Sequence, residues 1–174
     1  AGESQARNRY TYASRVAEKE GMLQIADLFH ETAENEREHA KRFFKFLEGG
    51  MVQIQATYPA GVIGTTADNL KAAAAGEHEE WSELYPKAAA TAREEGFPEV
   101  AEAFEAIARV EEAHERRYLK LLANVEVGEV FKKNTEVKWK CRNCGYIHVG
   151  AEAPATCPAC RHPQRWFELL AENY

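Results

Sequence analysis

The chain has 174 residues, 45% hydrophobic and 29% charged, the make-up of an ordinary folded globular protein with one sizeable core and a small appendage. Its net charge of −6 argues against nucleic acid as the main partner. No apolar run approaches the ~20 residues needed to cross a bilayer and nothing at the start reads as a secretory signal, so no membrane partner is expected and a cytoplasmic setting is the default.

In chain order, residues 1–20 are predicted as a first helix, with Ala6, Ala13, Val16 and Ala17 near one face and Gly21 as the break. A second helix runs from Met22 to Glu48 and stops at Gly49-Gly50. The stretch to Thr65, with Tyr58-Pro59, Gly61 and Gly64, reads as an irregular connection. A third helix begins near Thr66 to Asp68, which offer capping side chains, and reaches Glu95 with a bend at Pro86. Gly96 closes it, and Pro98 suits the first turn of a fourth helix lasting to about Val127. Short joints at Gly21 and Gly96 make two antiparallel hairpins. A single long crossover between them gives the ferritin-like form of an all-α four-helix bundle. Residues 1–128 are assigned to this bundle, 129–135 to a linker, and 136–174 to a small β-type domain in which Trp139, Tyr146, Trp166 and Phe167 surround four cysteines.

Displaced by seventy-five positions, the chain matches itself: Glu36-Arg37-Glu38-His39 falls on Glu111-Glu112-Ala113-His114, and Glu20-Gly21, Phe29 and Lys45 fall on Glu95-Gly96, Phe104 and Lys120. A bare E-x-x-H is a weak motif; its equivalent register in two halves gives it weight. At about 100° per residue, Ile25, Phe29, Ala33, Ala40, Phe43 and Leu47 lie within about 60° of Glu36. Val100, Phe104, Ala108, Tyr118 and Leu122 surround Glu111 in the same way. A carboxylate in an apolar stripe must be protonated, paired or bound to a cation. The other two helices add Glu3 and Glu77, each in an Ala-Gly-Glu sequence, and Glu80 one turn beyond Glu77. Tyr10 and Tyr85 match at the same displacement and are candidates to hydrogen-bond the site.

Glu3, Glu36, Glu77, Glu80 and Glu111, with His39 and His114, are therefore expected to converge, and two cations would balance five like charges. Mixed carboxylate and imidazole donors suit iron or manganese. His30, about 180° from His39, is expected to face solvent.

Cys141-x-x-Cys144 and Cys157-x-x-Cys160 supply two tight knuckles and four tetrahedral ligands, metal ligation rather than disulfides in a reducing compartment. So short a tail buries too little apolar surface to fold unaided, so this metal is expected to be structural as well.

AGESQARNRY, ENEREHAKRFFKFLEGG, AAAAGEHEEWSELYP, EEAHERR, and CRNCGY with CPAC together resemble the rubrerythrin family over essentially the whole chain. The resemblance implies a ferritin-like di-iron domain followed by a rubredoxin-like domain, and a non-haem di-iron peroxidase that reduces hydrogen peroxide to water in oxidative stress defence. It implies that Glu36 and Glu111 bridge two irons, that Glu3 and Glu80 serve one and Glu77 with His114 the other, and that His39 replaces Glu80 when the oxidation state changes. Glu36, Glu111, Glu80 and His39 are then the catalytic set. Cys141, Cys144, Cys157 and Cys160 hold a rubredoxin-type iron that returns electrons. A homodimer, or a higher homo-oligomer, in which one chain's cysteine centre serves the partner's di-iron site, and an external NADH-dependent donor protein are further implications. No dinucleotide-binding glycine fingerprint is present in this chain. Family members usually carry residues ahead of the A-G-E-S segment, so a chain starting at Ala1 would have a short first helix with Glu3 poorly held. The competing readings are a ferritin-like ferroxidase that handles iron, and a zinc-ribbon interaction protein with an unmetallated bundle.

Overall fold

The structure is a computed structural model that describes residues 1–173. Helices α1 (Gly2–Lys19) and α2 (Leu23–Phe44) form the first hairpin. The second consists of α3 (Thr66–Glu79), a π-helical turn (Glu80–Leu84) and α4 (Tyr85–Glu94), followed by α5 (Pro98–Glu126). Gly21 and Gly96 reverse the chain at equivalent points with φ of +81° and +84°, a left-handed conformation in which a side chain is disfavoured. Thr65 caps α3, accepting from the Asp68 N–H while Asp68 accepts from the Thr65 N–H, so the cap lies one residue before the expected Thr66. The irregular crossover is tied to α1 where Gln5 and Arg9 donate to the carbonyls of Pro59 and Gly61 at 2.6 and 3.0 Å.

Two expectations for the helices change. α2 ends at Phe44 rather than Glu48, and Leu47 is exposed instead of continuing the apolar stripe. The third helix does not simply bend at Pro86: it widens into the π turn over Glu80–Leu84, which ends two residues before the proline. Proline has no N–H to donate and its ring crowds the carbonyl four residues back, which removes the α-helical bond at that point. The repeat shows the consequence. Glu3 to Tyr10 is seven residues and Glu77 to Tyr85 is eight, and the extra residue is taken up in the π turn, so both tyrosines return to the same face as their glutamate.

Apolar packing flanks the helical core from two ends. Tyr10, Ala13, Ala17, Ile25, Phe29, Leu70, Ala73 and Tyr118 cluster toward the Gly21 turn, and Ala89, Ala92 and Ala101, with Val100 and Phe104, cluster toward the Gly96 turn. The acidic residues lie between these clusters, which is why their burial is nearly complete.

The remaining strands are β1 (Lys132–Cys141), β2 (Ile147–Glu152) and β3 (Phe167–Leu169), in the antiparallel order β2-β1-β3. β1 starts within the stretch read as linker. Trp139, Cys141, Ala153, Cys157 and Phe167 form the small core of this sheet. It docks on the bundle through Arg142, between the first two cysteines, which forms an ion pair with Asp27 of α2. No helix among the described residues is long and apolar enough to cross a membrane.

Candidate metal centres

Glu3, Glu36, Glu77, Glu111 and His114 are buried, with Glu36, Glu77 and Glu111 wholly inaccessible. His39 is largely covered and Glu80 half-buried, so all seven expected groups reach one layer of the bundle. His30 faces solvent, as its position on α2 requires. Glu3, near the chain start, is held in place because the Tyr85 hydroxyl donates to its Oε1. Tyr10 likewise donates to Glu77 Oε1 at 2.6 Å.

Two donor sets emerge, each with its ligand atoms within 4.8 Å of one another: Glu3, Glu36, His39 and Glu111; and Glu36, Glu77, Glu111 and His114. Glu36 and Glu111 belong to both. Glu80 lies outside the sets, with His39 in the place beside Glu3.

The spacing within the sets is that of a coordination polyhedron. His39 Nδ1 lies 2.9 Å from Glu111 Oε1, and His114 Nδ1 lies 2.8 Å from Glu111 Oε2 and 3.3 Å from Glu36 Oε1. Yet both Nδ1 atoms, both oxygens of Glu36 and both of Glu111 are buried without a hydrogen-bond partner. They are close but not aimed at each other; they face a common interior point. Ligands at ~2.1 Å around one ion sit ~3 Å apart along an octahedral edge. Orphaned buried acceptors at that separation fit a pair of cations.

When no cation is bound, protons take up the charge of the same layer. Burial raises Glu3 to about 10, with Glu36 and Glu80 adding to the rise. Burial likewise raises Glu80 to about 9 and Glu77 to about 8. Glu36 goes the other way, since contacts with His114, His39 and Glu3 outweigh its burial and hold it at about 2. Burial disfavours the charged imidazoles, but Glu111 and Glu36 beside both rings, with Glu77 also beside His114, lift His39 to about 10 and His114 to about 11. Without cations, the layer therefore carries protons on three acids and both rings at neutral pH. A cavity of about 690 Å³, lined also by Phe43 and Phe104, reaches Glu3, Glu80 and Tyr85, so Glu80 stands on the open side of the cluster.

Sequence reasoning missed two partners. Asn35 meets the Nε2 of His114 at 3.3 Å, and Trp81 of the π turn donates to Glu115 at 2.6 Å, with His78 on the same carboxylate at 3.1 Å. The repeat register could have flagged Asn35, because its counterpart is Val110; Glu115 reads from the sequence as an outer or surface carboxylate, but nothing local pointed to Trp81 and His78 as its partners.

The second centre is built by the sheet. Sγ atoms of Cys141 and Cys160, and of Cys144 and Cys157, are 3.7 Å apart. A disulfide needs ~2.05 Å, whereas a tetrahedron with ~2.3 Å metal–sulfur bonds has an edge of ~3.8 Å. The backbone turns back at each knuckle, where the N–H groups of Gly145 and Arg161 donate to the carbonyls of Cys141 and Cys157 at 2.8 and 2.9 Å. Both residues have positive φ, and Arg161 adopts it despite its side chain. The His162 N–H is first among the groups that lower Cys160 to about 6, favouring the thiolate a metal requires.

Comparison with known proteins agrees with both centres. The rubrerythrin family model matches residues 1–122, and that of the rubrerythrin rubredoxin-like domain matches residues 139–168. Rubrerythrin of Porphyromonas gingivalis is 63% identical over 174 residues, covering 100% of this chain and 87% of the relative. Rubrerythrin of Nitratidesulfovibrio vulgaris is 56% identical, covering 100% and 91%. Among solved structures, fully reduced, all-ferrous nigerythrin superposes with a TM-score of 0.65 at 30% identity, covering 98% of this chain and 82% of that one. The fold is thus a ferritin-like helical domain followed by a rubredoxin-like antiparallel sheet, with a carboxylate and imidazole candidate for two irons and a four-cysteine cluster consistent with a rubredoxin-like iron site. The chain belongs to the rubrerythrin family, a family of oxidoreductases.

Proposed function

We propose that the protein is a non-haem di-iron peroxidase that reduces hydrogen peroxide to water in oxidative stress defence. Electrons are relayed through a rubredoxin-type iron at Cys141, Cys144, Cys157 and Cys160 from an external NADH-dependent donor protein. The observation that carries this reading is the pair of donor sets sharing Glu36 and Glu111, in one chain with a four-thiolate centre of the redox type. Bound iron supplies electrons and Lewis acidity.

The chain's residues do the rest. Glu36 and Glu111, common to both donor sets, would be shared between two irons, Glu3 and His39 would help hold one, and Glu77 and His114 the other. Glu80, beside the cluster on its open side, would be the carboxylate able to take the place of His39 as the charge to be balanced changes. The phenols of Tyr85 and Tyr10 hold Glu3 and Glu77 in orientation. Reduction of one peroxide takes two electrons and two protons and yields two waters, and Glu80, whose burial favours its protonated form, stands where a proton is required.

We further propose a homodimer in the cytoplasm, whose reducing conditions keep the four thiols available. Arg142 docks the cysteine knuckle on Asp27, nine residues from Glu36, or ~13.5 Å of helix rise before the arginine's length is added. In the proposed homodimer a partner chain's cysteine centre would serve the bundle instead.

The test is anaerobic reduction of iron-loaded protein followed by stoichiometric hydrogen peroxide. Both centres are expected to reoxidise with peroxide consumed. The bundle's response should disappear in Glu36→Ala and Glu111→Ala while the cysteine centre stays loaded. Unchanged reoxidation in those variants, or ferric iron accumulating with peroxide left over, rejects the reading.

A further inference from the structure

The internal repeat and the geometry together separate the two imidazoles. On His114, Nδ1 faces the cluster while Nε2, across the ring, meets Asn35 Oδ1 at 3.3 Å. The amide oxygen can only accept, so the ring proton belongs on Nε2 and the lone pair on Nδ1 is left for a cation. His39 presents its Nδ1 to Glu111 and Glu36 in the mirrored way, but among the described residues nothing bonds its Nε2. Displacement by seventy-five positions turns the pair Asn35 and His114 into Val110 and His39. Val110 is apolar and 37% exposed, and has no side-chain acceptor to offer.

We propose that Asn35 is a positioning residue that locks the tautomer and ring direction of His114, and that valine at position 110 leaves His39 free to turn. The inference rests on reading the cluster as a two-cation site. It gives a physical reason why one histidine of a duplicated pair is a fixed ligand and the other an exchangeable one. An amide serves this better than a carboxylate here, because it orients the ring without adding a negative charge to a layer that already holds five acids.

Zinc-loaded protein provides the test, since zinc is diamagnetic and redox-inert. Zinc stoichiometry tests the site; long-range proton–nitrogen NMR of the imidazoles and exchange of their ring N–H protons test the anchor, so the two failures are distinguishable. The Nε2–H of His114 is expected to exchange about tenfold more slowly than that of His39. Asn35→Val should bring His114 to the His39 rate and weaken zinc binding about 10- to 100-fold, and Asn35→Asp should restore the slow exchange. Val110→Asn should slow exchange at His39. Equal rates for the two rings in the parent, or an unchanged His39 in Val110→Asn, overturns the proposal. The second result decides the matter even if Asn35→Val does not fold, because position 110 is partly open to solvent.

Discussion

Cation loading of the bundle should release about four protons per pair of ions at pH 7. Among the residues of the two donor sets, Glu3 and His39 on one side and Glu77 and His114 on the other carry protons at that pH when no cation is present, with values near 10, 10, 8 and 11. Glu36, held at about 2, has none to lose, and Glu80 stands outside the sets. Each bound proton must leave before its atom can ligate, so affinity rises with pH, by about two tenfold steps per pH unit for each ion below pH 8. Anaerobic calorimetry of ferrous ion binding, with the cysteine centre loaded beforehand, measures the release directly when repeated in two buffers of different ionisation heat. Release of fewer than two protons per pair would refute the assigned donors, because no choice of two sets containing both histidines and the raised acids gives so few.

Protein without cations in the bundle should lose thermal stability as pH rises. Glu3, Glu77 and Glu80 bind protons more tightly folded than unfolded, so their contribution is complete below about pH 4.5 and disappears as pH climbs through 8 to 10; the histidines add a loss from about pH 6.5 through 10 to 11. Melting temperatures from pH 5 to 9 should therefore fall steeply in cation-free protein and far less in loaded protein, and a cation-free profile that rises across this range would contradict the assignment. Tyr85→Phe removes the hydroxyl that holds Glu3 and should weaken the first ferrous binding step about tenfold, with helicity by circular dichroism unchanged. Cys157→Ala deletes a buried ligand; since a structural metal contributes on the order of 10 kcal/mol to so small a fold, the near-ultraviolet signal of Trp139 should collapse while the bundle's melting is retained.

The order of helices, the hairpin turns at Gly21 and Gly96, the paired E-x-x-H segments and the spacing of the cysteines were legible in the sequence. Each depends on local periodicity or covalent spacing, which survive in one dimension. The burial of Glu36 and Glu111 followed for the same reason: a helix repeats every 3.6 residues, so an acid among apolar neighbours three and four positions away must share their face.

What the tertiary structure alone decided concerns groups brought together from distant elements. The π turn that absorbs the eighth residue between Glu77 and Tyr85, the early end of α2, the choice of His39 over Glu80 beside Glu3, the meeting of Asn35 with His114, and the docking of Arg142 on Asp27 all follow from how helices and sheet approach one another. Local pattern fixes which face a side chain occupies, but the partner it meets there depends on packing distance and relative rotation of separate elements, and these are set by the whole core together.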